Sequence, residues 1–338
     1  MKKNLAILGV AVLALASCAK TQVISDETPS PIAFKAVVSN AVKADAQLEG
    51  TSLTADYAMY ISATQYKANG AIETPAYFKD VEFTTADATP GAASEYKAAP
   101  SLYWPIGNAA LDFVAYAMPS AKHGTPAATY DNEATNVASK VSFMGWDTYA
   151  NQVDLLYDVK NGATTATNAL VPNGLTVNFT LKHAQALLVF QTKVNTTNKI
   201  TINSITIPEL KVNGDFVIDN TKNVLNAHWE NLNAVPGENV VAEGATPGAD
   251  NLGDLIAATD YAQIGSSLLI PEQPRINFVI NYTISGNTMN YTVNLDRGNW
   301  EMGKKYIYQL DITLNEIIAT QVVEDFLANT TTSTSTLN

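Results

Sequence analysis

Residues 276–295 read INFVINYTISGNTMNYTVNL. Ile276, Phe278, Ile280, Tyr282 and Ile284 alternate with Asn277, Val279, Asn281 and Thr283, the period of two expected of a strand with one buried face. Ser285-Gly286-Asn287-Thr288 supplies turn chemistry, and Met289, Tyr291, Val293 and Leu295 alternate back, which predicts a hairpin. A third run follows, Tyr306, Tyr308, Leu310, Ile312 and Leu314 against Ile307, Gln309, Asp311 and Thr313, and extends the prediction to a three-stranded antiparallel meander.

The same pattern continues upstream. Leu175, Val177, Phe179 and Leu181 alternate as far as His183, after which the apolar phase moves to Ala184, Ala186, Leu188 and Phe190. A phase slip of this kind implies a bulge or a bend, and Ile200 and Ile202 followed by Ile205 and Ile207 slip again. Helical spacing is scarce; Leu252, Leu255, Ile256 and Thr259 mark a turn or two at most. Short strands, frequent turns and no regular βα alternation predict an all-β protein of antiparallel β-sandwiches. The 338 residues suit two domains of about 150 residues each. The apolar-poor stretch NGATTATNALVPNG, residues 161–174, is the expected boundary between them. The tail after Asn329, TTTSTSTLN, has little to bury and is expected to be disordered.

Charge narrows the partners. Against 20 Lys and Arg stand 32 Asp and Glu, a net charge of -12, so nothing here would neutralise a phosphate backbone and nucleic acid is excluded as a partner. The arginines are only Arg275 and Arg297, which leaves no guanidinium cluster for phosphate recognition. A single cysteine excludes an intrachain disulfide and a multi-cysteine metal site. Low charge with many Thr, Ala, Asn and β-branched residues suggests an extracytoplasmic β protein and not a cytosolic enzyme.

The N-terminus says where the chain goes. Lys2 and Lys3 precede the apolar run LAILGVAVLALA from Leu5 to Ala16. Such a run is too short for a bilayer core of about 30 Å, which needs roughly twenty residues, and it reads as a secretory signal over residues 1–17. Leu15-Ala16-Ser17-Cys18 resembles the bacterial lipobox, in which the cysteine thiol takes a diacylglycerol and becomes the new N-terminus. Cys18 is then a lipid anchor, palmitate or similar, that holds the protein to a membrane through about 0.8 kcal/mol per buried methylene. An ordinary signal peptide with a chance cysteine is the alternative. Residues 19–31 are polar with Pro29 and Pro31 and read as a tether, and Ile32 to Val42 is an apolar segment of extended character.

Catalytic signatures are missing. His123, His183 and His228 stand far apart, and no HExxH, GxSxG, Walker or Rossmann glycine pattern occurs. His183, between apolar strand residues, reads as a packed or hydrogen-bonded structural histidine. Asp250 and Asp254 would be ligands for a hard cation such as calcium, or solvated turn formers. Trp104, Trp146, Trp229 and Trp300, with 15 tyrosines, would line a glycan platform or pack a core. No catalytic residue, metal or cofactor is expected.

Five segments, in order, resemble the fimbrillins, the type V pilins and related surface lipoproteins of Bacteroidota. Ser101-Leu102-Tyr103-Trp104-Pro105-Ile106-Gly107 running into Leu111-Asp112-Phe113-Val114-Ala115-Tyr116 is similar to that family's YWP…LdFyAY hallmark. Val153-Asp154-Leu155-Leu156-Tyr157, Phe179 to Ala184, Leu269-Ile270-Pro271-Glu272-Gln273, and Trp300 with Gly303-Lys304-Lys305-Tyr306-Ile307-Tyr308 resemble four further segments. The resemblance spans Ile32 to about Phe326. It implies two tandem transthyretin-like antiparallel β-sandwich domains with Greek-key connections, here at 44–165 and 174–328, behind a lipidated tether and removable first strand at 18–43. It also implies export to the outer membrane as a surface-exposed lipoprotein, then a proteolytic cut that removes the first strand, whose groove a strand from another pilin subunit fills.

That removable strand would carry Ile32, Phe34, Ala36 and Val38, with the cut at Lys43-Ala44 and Lys35 as the alternative. The segment NEIIATQVVEDFLAN leaves a stalk, tip or anchor role open, since Ile317, Ala319, Gln321 and Val323 alternate only roughly and Val322, Val323, Phe326 and Leu327 equally suit a helical turn. The alternative function is a monomeric surface lipoprotein that binds glycans or host ligands through its aromatic residues.

Overall fold

The computed structural model describes residues 31–38, 53–66, 76–85, 94–105, 109–130, 140–163, 176–196, 198, 200–220, 225–236, 240–243, 254–255, 260–275, 277–295, 298–313, 316–325 and 333–337. Their regular structure is strand throughout, apart from one 3-10 turn at Ser120–Lys122, so the protein is all-β as expected.

Nine strands come first: β1 (Ala33–Val38), β2 (Tyr57–Gln65), β3 (Phe78–Thr84), β4 (Ser94–Ala98), β5 (Leu111–Pro119), β6 (Ala128–Tyr130), β7 (Lys140–Asp147), β8 (Leu156–Ala163) and β9 (Thr176–His183). Seven close into a barrel in the order β1-β4-β3-β2-β5-β8-β9. Alternate residues fill its interior, among them Phe34, Met59, Phe83, Tyr96, Trp104, Phe113 and Phe179. β9 lies beyond the 161–174 stretch and belongs to this barrel through β8 and β1.

The chain continues as β10 (Ala186–Val194), β11 (Ile200–Thr206), β12 (Lys211–Asp219), β13 (Asn226–Ala234), β14 (Val240–Glu243), β15 (Asp254–Leu255), β16 (Ala262–Leu269), β17 (Asn277–Ile284), β18 (Asn287–Asn294), β19 (Lys304–Ile312), β20 (Ile317–Asp325) and β21 (Ser333–Leu337). One sheet runs β16-β10-β19-β20-β21 and another β14-β11-β17-β18. They share a core in which Phe278 meets Phe190 and Tyr308 at ring distances of 5.5 and 5.2 Å. A four-stranded sheet, β13-β12-β7-β6, takes two strands from each half of the chain. Its Phe143, Trp146, Phe216 and Trp229 cover Tyr60, Val114, Tyr116 and Tyr157 on the outside of the barrel.

β17 and β18 make the predicted hairpin, with Ile284 opposite Asn287. Ser285 and Gly286 take φ of 51° and 80°, the two positive values of a type I′ turn whose twist matches its strands. The third strand of the meander is a correction. β19 lies in the other sheet, parallel to β10 and antiparallel to β20. Residues 295–303 are too long for a tight hairpin, and they bury Trp300, whose Nε1 donates to Tyr308 Oη at 3.1 Å. The slip at His183 marks the corner where β9 leaves the barrel and β10 enters the next sheet. The slip after Ile202 is a true bulge, and the extra residue, Asn203, donates from Nδ2 to Asn281 Oδ1 at 2.7 Å and Thr283 Oγ1 at 3.1 Å.

Two further expectations change. The supposed helical turn is a short strand, with Asp254 and Leu255 paired to Thr201 and Ile200; Leu252, Ile256 and Thr259 lie outside the described residues. The polar tail is not all without structure, because Ser333–Leu337 forms β21 along the edge of β20. Ladder hydrogen bonds need no apolar side chain, and Ser and Thr tolerate the extended backbone, so an open edge recruits them. β20 itself settles as a strand, with Ile317, Ala319 and Gln321 buried and Ile318 exposed.

Candidate functional site

β1 is the strand that closes the barrel. Its backbone pairs antiparallel with β4, Phe34 opposite Tyr96 and Ala36 opposite Ser94, and parallel with β9 from Ala33 opposite Thr176 to Val38 opposite Leu181. The contact extends one step upstream, where Ile32 N–H donates to Leu102 O at 2.8 Å and Pro31 bridges to Tyr103. Ile32, Phe34, Ala36 and Val38 are each at most 2% exposed. Lys35 is exposed opposite Glu95. Burial of the larger apolar side chains contributes about 1.5–3 kcal/mol each. Without β1, the facing edges of β4 and β9 would lose their partner, a condition that invites another strand.

The Phe34 ring sits in an aromatic cage that the sequence reading missed. Phe83 meets it edge-on at 4.8 Å, Phe113 edge-on at 5.1 Å and Phe179 at a tilt at 5.3 Å. The cage residues come from β3, β5 and β9, and Ala36 stands opposite Phe179. Phe179 was visible as an inward position of an alternating run and Phe113 only as part of a resembling segment, but the convergence of three strands on one ring leaves no local signature.

Among the described residues, two buried polar atoms of the same interior have no partner, Tyr96 Oη and Trp104 Nε1. Burial pushes the Tyr96 phenol up to about 12. A buried donor without an acceptor costs about 1–3 kcal/mol. Tyr96→Phe should therefore raise stability by about 1 kcal/mol, read as a higher urea midpoint with unchanged slope; a lower midpoint would contradict the orphaned hydroxyl.

Other polar groups are committed to structure. Asp112, in the LDF segment, accepts from Gly162 N–H and Tyr66 Oη, both at 2.6 Å, and holds β8 to β5 where Gly162 takes φ 67°. Desolvation raises its carboxyl above the usual range, against the lowering pull of both hydrogen bonds. His123 stacks on Tyr60 at 3.7 Å and lies 3.4 Å from Asp80, and His228 lies 3.7 Å from Glu230. His183 is the structural histidine expected, its Nδ1 2.8 Å from Asp154 Oδ1. All four tryptophans are buried, so they form no exposed platform. Among the described residues no group of three His, Cys, Asp or Glu could hold a metal, and no helix is long and apolar enough to cross a membrane. Cys18, Lys43, Ala44 and Asp250 lie outside the described residues, and of Asp254 only the backbone is described.

Comparison with known proteins gives the chain its relatives. A family model described as fimbrillin-like matches residues 43–325. No curated protein matches. Among solved structures, a fimbrial protein from Bacteroides vulgatus is similar at a TM-score of 0.56 and 16% identity, over 87% of this chain and 99% of that one. A putative cell adhesion protein from Bacteroides ovatus is similar at 0.52 and 14% identity, over 89% and 99% of the two chains. Another from Bacteroides uniformis is similar at 0.51 and 16% identity, over 88% and 98%. At these identities the likeness is one of fold.

Proposed function

The chain belongs to the fimbrillin-like family, and from that premise we propose that it is a structural subunit or assembly component of a type V pilus, polymerised by strand addition. The observation that carries the reading is β1, an N-terminal strand bonded on both edges and filling the barrel with apolar side chains. A segment so placed leaves, once cut away, a groove with two open edges that a strand of another subunit can occupy. In this reading the barrel and the following sandwich are transthyretin-like Greek-key units. The chain is exported as an outer-membrane lipoprotein anchored through Cys18, and the cut falls between Lys43 and Ala44. The family match begins at residue 43, beside that bond.

N-terminal sequencing and intact mass of surface material test the proposal. The polymer should begin at Ala44, and the membrane-bound precursor at an acylated Cys18. Surface material that begins only at acylated Cys18 would count against polymerisation by strand addition.

A further inference from the structure

The cage around Phe34 bears on which strand the groove accepts. Phe83, Phe113 and Phe179 belong to β3, β5 and β9, all of which follow β1 in the chain and lie beyond a cut at Lys43-Ala44. Two of the three present their contact to the Phe34 ring edge-on, at 84° and 83°. Edge-to-face contact is specific to an aromatic ring and adds to area burial, so an aliphatic side chain would fill the volume without that geometry.

Two residues on, Ala36 lies opposite Phe179, whose ring already leans toward Phe34. A larger side chain at that position would compete with Phe34 for the space beside the same ring. Register is equally constrained. A one-residue slip turns the aromatic outward and Lys35 inward, and a two-residue slip puts Ile32 or Ala36, neither of them aromatic, into the cage. Of the outward positions Lys35 is exposed and imposes little, whereas Ala33 is buried and Val37 half-buried.

We infer that the groove selects its occupant by a phenylalanine anchor followed two positions later by a small side chain. The partner it fits is an extended segment of a neighbouring subunit carrying Phe-x-Ala in that register, antiparallel to β4 and parallel to β9. This rests on the strand-addition reading above and assigns to the cage the choice of strand.

The test uses the full chain with a specific protease site in place of residues 39–44, nicked so that β1 stays bound without a covalent link. Synthetic peptides spanning residues 31–38 are added in excess, and release of the N-terminal fragment is followed by mass spectrometry. Peptides with Phe34→Ala and Ala36→Val are compared with the native sequence. The native peptide should displace the fragment. The Phe34→Ala peptide should be weaker by about a hundredfold or more, and the Ala36→Val peptide by about tenfold. If no peptide displaces the fragment from a nicked chain that circular dichroism shows to be folded, the strand-addition reading falls, and the inference with it. If all three peptides displace it equally within threefold, strand addition stands and the selectivity is overturned.

Discussion

Phe113→Ala should destabilise the protein by about 3–5 kcal/mol, the range for emptying a buried aromatic site. Phe113 has no exposed surface and touches more of the barrel's aromatic interior than the β1 anchor alone. Its ring meets Phe34 at 5.1 Å and Trp104 at 5.9 Å, both edge-on, and Phe78 at 6.2 Å. Truncation leaves a cavity among side chains from β1, β3 and the segment before β5, and close-packed strands recover little of that volume. Urea unfolding followed by circular dichroism checks the magnitude, and Phe113→Leu should cost less because most of the volume remains. Hydrogen exchange adds a spatial test. The β1 amides should lose protection more than those of β17, since Phe113 supports Phe34 and has no part in the C-terminal core. A loss below about 1 kcal/mol would mean that the interior rearranges freely.

What could be read beforehand follows a physical division. The β17–β18 hairpin was legible because its information is local: a period of two on each strand and Ser285-Gly286 able to take positive φ. The bulge at Asn203 was legible for the same reason, since one extra residue must displace the apolar phase. The partner of β19 was not, because parallel pairing with β10 is remote in sequence and nothing in YIYQLDI names the strand beside it.

Much the same holds at the candidate site. The apolar, extended character of Ile32 to Val42 marked a strand there, but Phe83 and Tyr96 lie in short runs whose alternation is interrupted by polar residues. Glutamines were the least legible. Gln152, Gln185 and Gln273 look like solvated loop residues, yet each uses its amide as a second peptide group. Gln273 accepts from Lys211 N–H at 2.8 Å and donates to Lys211 O at 3.0 Å. Gln152 accepts from Leu268 N–H at 2.6 Å and donates to Leu268 O at 3.1 Å. A primary amide copies the donor and acceptor of a strand, and only the tertiary fold reveals which strand it completes.

Such bonds concentrate at the corner between β9 and β10, where the second large effect is expected. Asp154 and His183 have no exposed side-chain surface, and the carboxylate accepts from His183 Nδ1 at 2.8 Å. Around them Gln185 accepts from Leu155 N–H at 3.0 Å and donates to Val153 O at 2.7 Å, while Trp229 Nε1 donates to Ala184 O at 2.6 Å. Asp154→Ala should cost about 3–5 kcal/mol, because it leaves a buried imidazole facing a cavity with its acceptor gone. Asp154→Asn keeps an oxygen at nearly the same place and should cost less. The pair is separable from general packing by a double-mutant cycle. His183→Ala combined with Asp154→Ala should destabilise by less than the sum of the two single changes, since each single change already removes the contact between the two side chains. Strict additivity would show that the two side chains act independently, and the corner would then owe its stability to Gln185, Trp229 and the backbone bond from Ala184 N–H to Leu155 O.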